Sequence, residues 1–395
     1  MTRLRPRPGV ECALLLVLAT TLPAAAAKPA PPAQEIDALL ARAVPADGPG
    51  AAVIAVKDGK TVFRKARGMA SLELGVPLSP DSVLRLGSIT KQFTAVATLM
   101  LAEEGKLSLS DPVTKHLPGY PTQGHTITVE HLLNHTSGIR SYTGIPGYMT
   151  GPRIRADLTT AELVEVFSKE PMDFAPGAEW RYNNSGYVLL GAILEKVSGK
   201  PWGELLAERI FRPLEMASTR VGDDGPILAR RAAGYTRDGE RVVNARFLSM
   251  TQPHAAGGLV STVDDLALWD AALNSGRLLK PASLEKAWSP AVTRDGKPTR
   301  YGYGWGVSTL RGARAIEHGG GIFGFSTYAV GLPDEKVYVA VLANSDAPPV
   351  DPATLGKEIA ALLIGRPFPA RVPVPVDPKA LERWAGVYRF DAQTT

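Results

Sequence analysis

Ser88 and Lys91 are the residues whose types and spacing first suggest catalysis. A glycine precedes Ser88, and the mostly apolar stretch from Phe93 to Leu101 predicts a helix directly after it. Residues three apart share a helix face, so the hydroxyl and the amine are expected to meet. A lysine with a lowered pKa can take the serine proton, and the N–H groups at the helix start favour charge on a substrate carbonyl oxygen. The pattern therefore predicts acyl transfer through Ser88.

The same spacing occurs again at Ser283 and Lys286. Ser-x-x-Lys is a short pattern that also arises by chance. The second copy lies in a polar amphipathic stretch, where a lysine is expected to face solvent. We therefore interpret Ser283 and Lys286 as surface residues, and Ser88 is favoured by two groups of residues that follow it in the chain.

The first group is Tyr182-Asn183-Asn184, shortly after a Pro-Gly pair. A phenol beside an ammonium group can have a lowered pKa and exchange protons with the serine or the leaving group. Asn184 can orient both Lys91 and a substrate amide, because its side chain donates and accepts hydrogen bonds. The alternative is a loop tyrosine followed by turn-forming asparagines.

The second group is His318-Gly319-Gly320-Gly321. Glycines allow a substrate backbone to lie against a strand edge, and a free N–H there can complete an oxyanion hole with the N–H of Ser88. His318 can donate a hydrogen bond to a substrate carboxylate or phenolate. The alternatives are a structural histidine and a β-bulge.

Together, in this order, the three groups resemble the motifs of the serine β-lactamase and penicillin-binding protein superfamily. The resemblance is greatest to class C β-lactamases and the related DD-carboxypeptidases, D-aminopeptidases and esterases, whose order is Ser-x-x-Lys, Tyr-x-Asn and Lys- or His-x-Gly. It extends to the Leu132–Ile139 stretch and to Pro176-Gly177, and covers residues 35–365.

The resemblance implies an α/β (α+β) fold, with a five-stranded antiparallel sheet flanked by helices beside an all-helical domain. Ser88 would be acylated, with Lys91 and Tyr182 sharing proton transfer. Asn184, His318 and Gly320 would contact substrate. The N–H groups of Ser88 and Gly321 would form the oxyanion hole, and neither a metal nor another cofactor is expected.

His318 is a departure from the lactamases of class C, which have a lysine at this position. A permanent cation that suits a lactam carboxylate is thereby replaced by a group that is often neutral near pH 7. Asn183 also stands where lactamases commonly have serine. Histidine is closer to the peptidase and esterase branch, and both differences argue against strong hydrolysis of β-lactam antibiotics. D-alanyl peptides, esters and β-lactams are the candidate substrates.

Three other interpretations remain open from the residues alone. The His318–Gly321 stretch imitates the oxyanion loop of α/β-hydrolase esterases, but no Gly-x-Ser-x-Gly elbow follows it. His131 and His135 have a spacing that occurs in metal hydrolases, although Glu130 precedes the first histidine instead of following it. A non-hydrolytic module that binds penicillin or peptidoglycan is the third.

Residues 1–27 are typical of a secretory signal peptide. Three arginines lie within the first seven residues, residues 13–22 are apolar, and residues 25–27 are alanines. The only cysteine, Cys12, lies in this leader, so the mature chain would have no disulfide. We expect export, to the periplasm of a bacterium, and no membrane insertion after cleavage.

The overall composition is that of a globular protein, with 45% hydrophobic residues and a formal net charge of +5. Because no long basic run interleaves with aromatic residues, nucleic acid is not an expected partner. The expected partner is a small molecule or a peptidoglycan-derived substrate, and the oligomeric state is left open.

Five segments are predicted along the chain. After the leader, residues 28–34 are rich in Ala and Pro and are expected to be flexible. The hydrolase domain spans 35–365, and it opens with a helix and a hairpin and closes with a β-meander and a helix. A proline-rich linker follows at 366–378, and a strand-like tail at 379–395 is expected either to dock back on the main body or to be the stub of an appended module.

Overall fold

The computed structural model describes residues 31–369 and 377–386. Its α-helices are α1 (Pro31–Ala43), α2 (Thr90–Glu103), α3 (Val113–His116), α4 (Val129–Leu133), α5 (Thr160–Ser168), α6 (Asn184–Ser198), α7 (Trp202–Leu206), α8 (His254–Gly257), α9 (Val263–Asn274), α10 (Pro281–Ala287), α11 (Pro352–Leu363) and α12 (Pro378–Glu382). Its strands are β1 (Ala51–Lys57), β2 (Lys60–Arg67), β3 (Met69–Ser71), β4 (Val76–Pro77), β5 (Leu84–Arg85), β6 (Arg220–Val221), β7 (Tyr235–Asp238), β8 (Arg241–Asn244), β9 (Leu259–Ser261), β10 (Gly306–Leu310), β11 (Ala313–Ile322), β12 (Phe325–Leu332) and β13 (Val337–Ala343).

The main sheet is antiparallel and has the strand order β10-β11-β12-β13-β1-β2. The early hairpin and the late meander therefore pair, with Val53 opposite Val341. The sheet has six strands instead of the five expected. The sixth is β10, which forms a hairpin with β11 and lies at the edge of the sheet.

The β1–β2 hairpin is confirmed, with its turn at Asp58 and Gly59. Both turn residues have positive φ angles, 51° and 72°. Two consecutive positive φ values suit the right-handed twist of a tight hairpin, and Asp-Gly is a favoured pair there. The turn chemistry therefore favours the pairing of β1 with the edge strand β2.

Each face of the sheet covers a separate hydrophobic core. On β1, Ala52 and Ile54 belong to the larger core, which extends into the helical region around α2 and α6. Val53 and its neighbours on the other face pack against α1 and α11, where Leu40 and Ile359 are fully buried. Because β1 is buried on both faces, it reads as a continuous apolar run in the sequence.

The region between the hairpin and the meander is largely helical, as predicted. Thr128 is the N-cap of α4, since its hydroxyl accepts from the backbone N–H of His131. Gly199, in the left-handed conformation, ends α6, and Thr262 caps α9. Within the described residues, no helix is long and apolar enough to cross a membrane.

The two ends of the chain differ from expectation where they are described. Helix α1 begins at Pro31, so residues 31–34 are helical, because proline is well suited to the first turn of a helix. The start of the predicted strand-like tail is the short helix α12, whose N-cap is Asp377. The proposed leader, residues 370–376 of the linker and residues 387–395 of the tail lie outside the described residues.

Candidate active site

Ser88 lies in a 3-10 turn, Gly87–Ile89, that leads directly into α2. Gly87 has a φ of 55°, and a Cβ atom on it would come within 3.0 Å of the Gly321 nitrogen. A side chain at position 87 would therefore be strained and would push β11 away. The segment is also tied to β12, because the Thr327 hydroxyl donates to the Leu86 carbonyl at 2.7 Å.

Lys91 lies one turn further on and is fully buried. Its Nζ atom lies 3.0 Å from Ser88 Oγ, 2.8 Å from Asn184 Oδ1 and 2.7 Å from the carbonyl oxygen of Ala256. Burial lowers its pKa well below the ordinary value for lysine. A neutral amine has two N–H donors, and these are used by the amide and carbonyl oxygens. Its lone pair is then left to face the Ser88 hydroxyl, which is the geometry of a general base.

Asn184 is the first residue of α6, and its side chain is held from both ends. Its Nδ2 donates to the Thr143 hydroxyl at 3.1 Å, which turns Oδ1 toward Lys91. The neighbouring Asn183 caps α6 by accepting from the backbone N–H of Gly186. Asn183 is buried, so the middle residue of the Tyr-x-Asn group serves the helix and not the substrate.

Tyr182 lies against Lys91, with its ring centroid 4.7 Å from Lys91 Nζ. Its hydroxyl is buried and makes no hydrogen bond of normal geometry with the described residues. Burial raises the pKa of this phenol, and the Ser88 hydroxyl opposes the rise. The expected lowering of the tyrosine pKa is therefore wrong, because desolvation outweighs the opposing effect of the Ser88 hydroxyl. Tyr182 remains a protonated phenol beside Ser88.

His318 lies on β11, with its ring centroid 6.1 Å from that of Tyr182. Its Nδ1 is 2.5 Å from the Gly319 carbonyl oxygen, which only accepts, so Nδ1 carries the hydrogen. Nε2 is then the acceptor for the Tyr301 hydroxyl at 2.8 Å. Burial lowers the pKa of His318 to about 4, because the charged imidazolium loses its hydration. The histidine is neutral with both ring nitrogens engaged, so the expected donation to a substrate anion is not available in this geometry.

The three glycines after His318 have different surroundings. Gly319 and Gly321 are exposed, whereas Gly320 is buried and faces Leu86 and Thr327. Strand β10 pairs with β11 only as far as Glu317, so the following residues present an edge that no described strand covers. Gly321 and Ser88 line one cavity of about 320 Å³, between the sheet edge and the loops around Thr143 and Gln252.

The other candidates lie apart from this cavity. Ser283 and Lys286 lie on the short surface helix α10, where Lys286 pairs with Glu130. His131 and His135 each use Nδ1 to accept a backbone N–H, from Thr128 and Asn183. Within the described residues, no group of three or more potential ligands could hold a metal ion.

Two groups that surround the site were not predicted. Tyr301, which holds His318, lies outside the three motifs that the sequence analysis identified. The Ala256 carbonyl, which holds Lys91, comes from α8 and has no side-chain signal. Backbone groups of this kind are invisible to motif searches, because every residue type carries them.

This combination of an antiparallel sheet, a helical region and a Ser-Lys pair at the start of a buried helix defines the β-lactamase and transpeptidase class of folds. The sequence profile of the family described as Beta-lactamase matches residues 36–364. The chain therefore belongs to the β-lactamase family, and its enzyme class is that of the serine hydrolases.

Several known proteins are similar over most of the chain. "Penicillin-binding protein 4*" of Bacillus subtilis is 30% identical over 331 residues, which are 80% of this chain and 72% of that protein. "Putative penicillin-binding protein PbpX" of the same species is 32% identical and covers 66% of this chain, which spans only 62% of that relative. The crystal structure of a D-stereospecific amidohydrolase from Streptomyces sp. is 32% identical with a TM-score of 0.72, covering 83% of this chain and 98% of that chain.

Membership of this family excludes the interpretation of the chain as an α/β-hydrolase esterase. An α/β-hydrolase esterase needs a parallel sheet with a nucleophile elbow, whereas all neighbouring strands of the main sheet are antiparallel. The resemblance of His318–Gly321 to an oxyanion loop of that fold is therefore superficial. The glycines serve a strand edge instead of a loop between parallel strands.

Proposed function

We propose that this protein is an exported serine hydrolase that forms an acyl-enzyme on Ser88, with amides and esters of D-amino acids as its substrates. The observation that carries the proposal is the environment of Lys91, whose buried amine has two fixed acceptors and a third contact at Ser88 Oγ. A lysine held in this way is a base, and a serine beside it is a nucleophile.

In acylation, the Ser88 oxygen attacks the substrate carbonyl while its proton passes to Lys91 Nζ. The N–H groups of Ser88 and Gly321 stabilise the charge on the carbonyl oxygen. The scissile C–N or C–O bond then breaks, and the leaving group takes the proton of the Tyr182 hydroxyl. The raised pKa of Tyr182 suits this role, since the phenol holds its proton until a strongly basic leaving group forms.

In deacylation, the Tyr182 phenolate is the base. It takes a proton from a water molecule that attacks the acyl carbonyl, and the bond between Ser88 Oγ and the acyl carbon breaks. The Lys91 ammonium returns its proton to Ser88, so both residues regain their starting states. Tyr182 is thus the proposed base for deacylation, and the mechanism needs no residue outside the three motifs.

The choice of substrate class rests on His318 and on the relatives. The neutral, fully engaged imidazole supplies no positive charge for a lactam carboxylate, so we expect β-lactams to acylate Ser88 slowly. The Streptomyces relative is named a D-stereospecific amidohydrolase, which supports amides as substrates. The B. subtilis relatives are named penicillin-binding proteins, which supports D-alanyl peptides. Export rests on the pattern of residues 1–27 alone.

A non-hydrolytic module for penicillin or peptidoglycan is disfavoured by the same geometry. Lys91 and Tyr182 both contact the nucleophile, and a binding module needs neither a deprotonated amine nor a buried phenol with a free hydroxyl. Burying such groups without full hydrogen bonding is unfavourable for folding, which argues that function maintains them.

A covalent label tests the proposal directly. We expect a fluorophosphonate probe to label the wild-type protein and Ser283→Ala equally, and to leave Ser88→Ala unlabelled while its circular dichroism spectrum stays native. Peptide mapping should place the label on Ser88. Labelling that survives in Ser88→Ala, or that disappears in Ser283→Ala, would overturn the assignment.

A further inference from the structure

Asp346 is the only Asp, Glu, Lys, Arg or His residue that lines the cavity beside Ser88, all of whose lining residues are described. It follows β13 in the chain and is held in place by two backbone contacts. Its Oδ2 accepts from the Gly324 N–H at 2.9 Å, and its own N–H donates to the Tyr235 carbonyl at 3.1 Å. The second carboxylate oxygen has no hydrogen-bond partner among the described residues.

The position of Asp346 along the sheet is informative. Gly324 lies in the two-residue turn between β11 and β12, so the carboxylate lies at the end of the strand edge that begins at His318. A substrate that pairs with this edge and presents its carbonyl to Ser88 extends past Gly321 and Phe323. These two residues line the same cavity as Ser88 and Asp346.

The charge of the cavity points to one kind of ligand. No described lysine or arginine pairs with Asp346, and Lys91 lies behind Ser88 with its contacts filled. A second pocket adjoins this cavity, and Phe323 lines both. The arginines that line the second pocket have partners of their own. Arg85 pairs with Asp224, and Arg246 donates to the Thr150 carbonyl. The cavity thus holds one unpaired anion and no cation that is free to bind substrate.

We propose that Asp346 is a specificity-determining residue that binds the free ammonium group of the substrate. This deepens the proposed function, on which it rests. It selects D-amino acid amides and esters, or short peptides, with an unblocked amino terminus over N-acylated ones. A charge-assisted hydrogen bond to a carboxylate is stronger than a neutral one, and the corresponding neutral substrate loses it.

Three p-nitroanilides that differ only at the α-substituent test the inference: D-alanyl, its D-lactyl analogue with a hydroxyl group, and N-acetyl-D-alanyl. Below pH 7 the α-amino group is protonated. We expect kcat/KM of the wild type to favour the D-alanyl compound about tenfold over the D-lactyl compound. In Asp346→Asn the ratio should fall to about one, and salt should reduce it in the wild type only.

The matched control is Asp334→Asn, an exposed aspartate in the turn at the opposite end of the β12 strand. It should retain the wild-type ratio. Protection of Ser88 from the fluorophosphonate probe measures binding independently of turnover, and the D-alanyl compound should protect better.

The two proposals fail in distinguishable ways. A wild type that is labelled on Ser88 but shows no preference for the ammonium compound, by cleavage or by protection, overturns the inference alone. The same holds if Asp346→Asn keeps the wild-type ratio. Loss of labelling specificity for Ser88 overturns the proposed function itself.

Discussion

At the scale of single residues, burial decides the chemistry of the site more than sequence neighbours do. Lys91, Tyr182 and His318 would all be charged or readily titrated in water. In the protein, burial lowers the pKa of the lysine and of the histidine and raises the pKa of the tyrosine. All three changes favour the neutral form, because each charged form loses its hydration. Burial therefore favours the neutral form of all three groups at the site.

The pKa of His318 leads to a prediction about stability. The value is about 4 in the folded protein and 6.5 in an unfolded chain. Below pH 6.5 the unfolded chain takes up a proton that the folded protein does not, so the free energy of unfolding falls as the pH drops toward 4. The loss attributable to this residue is about 3 kcal/mol at most.

Chemical denaturation at a series of pH values checks this prediction. His318→Gln should show a shallower fall in unfolding free energy between pH 6.5 and 4 than the wild type. The fall should not vanish, because the pKa of His135 is also lowered by burial. His125→Gln, which changes an exposed histidine, should match the wild type. Identical slopes for wild type and His318→Gln would contradict the prediction.

At the scale of elements, the site depends on how closely β11 approaches the turn that carries Ser88. Gly320 is in contact with Leu86, two residues before Ser88, and with the Thr327 hydroxyl. The bond from that hydroxyl to the Leu86 carbonyl links the turn to the sheet. The distance between the two walls of the cavity is thus set by a residue with no side chain.

A methyl group at position 320 should therefore be damaging. The new Cβ would lie far inside van der Waals contact with the Leu86 carbonyl oxygen and with Thr327 Oγ1. We expect Gly320→Ala to lose about 1–3 kcal/mol of stability, as overpacked sites do, and to react with a fluorophosphonate at least tenfold more slowly. Thermal unfolding and labelling kinetics measure the two effects.

Gly321→Ala is the control in the same strand, since a Cβ there has no atom within 4 Å. It should keep the wild-type melting temperature. Equal melting temperatures for both alanine variants would show that β11 can move away from the Ser88 turn without loss, against the expectation.

At the scale of the whole molecule, the two hydrophobic cores have separate roles. The larger core surrounds α2 and supports Ser88 and Lys91, while the other lies behind the sheet and holds α1 and α11. Because the sheet separates them, damage to the outer core should reduce stability without changing the geometry at Ser88.

Leu40→Ala tests this separation. Leu40 is fully buried in the outer core, and truncating such a leucine costs about 2–5 kcal/mol. We expect a lower melting temperature but an unchanged rate of labelling at Ser88 well below it. Gln34→Ala, an exposed position on the same helix, should leave both unchanged. A parallel loss of labelling in Leu40→Ala would show that the cores are coupled.

The sequence by itself determined the family, the Ser-Lys pair and most of the local elements. Ser88 and Lys91 meet because a helix brings residues three apart together, and the Asp58-Gly59 hairpin follows from its turn residues. The ordered motifs also brought Asn184, His318 and Gly321 to one region of the fold. These features depend on spacing along the chain, which a sequence displays directly.

Only the tertiary structure decided the protonation states, the partners of His318 and the charge of the cavity. Tyr301, the Ala256 carbonyl and Asp346 come from segments far from the motifs and carry no pattern of their own. The pKa of a group depends on its hydration and on contacts across the fold, so the expected acidic tyrosine became a buried phenol. The sixth strand and the helical start of the tail were likewise decided by pairing and capping that periodicity alone does not reveal.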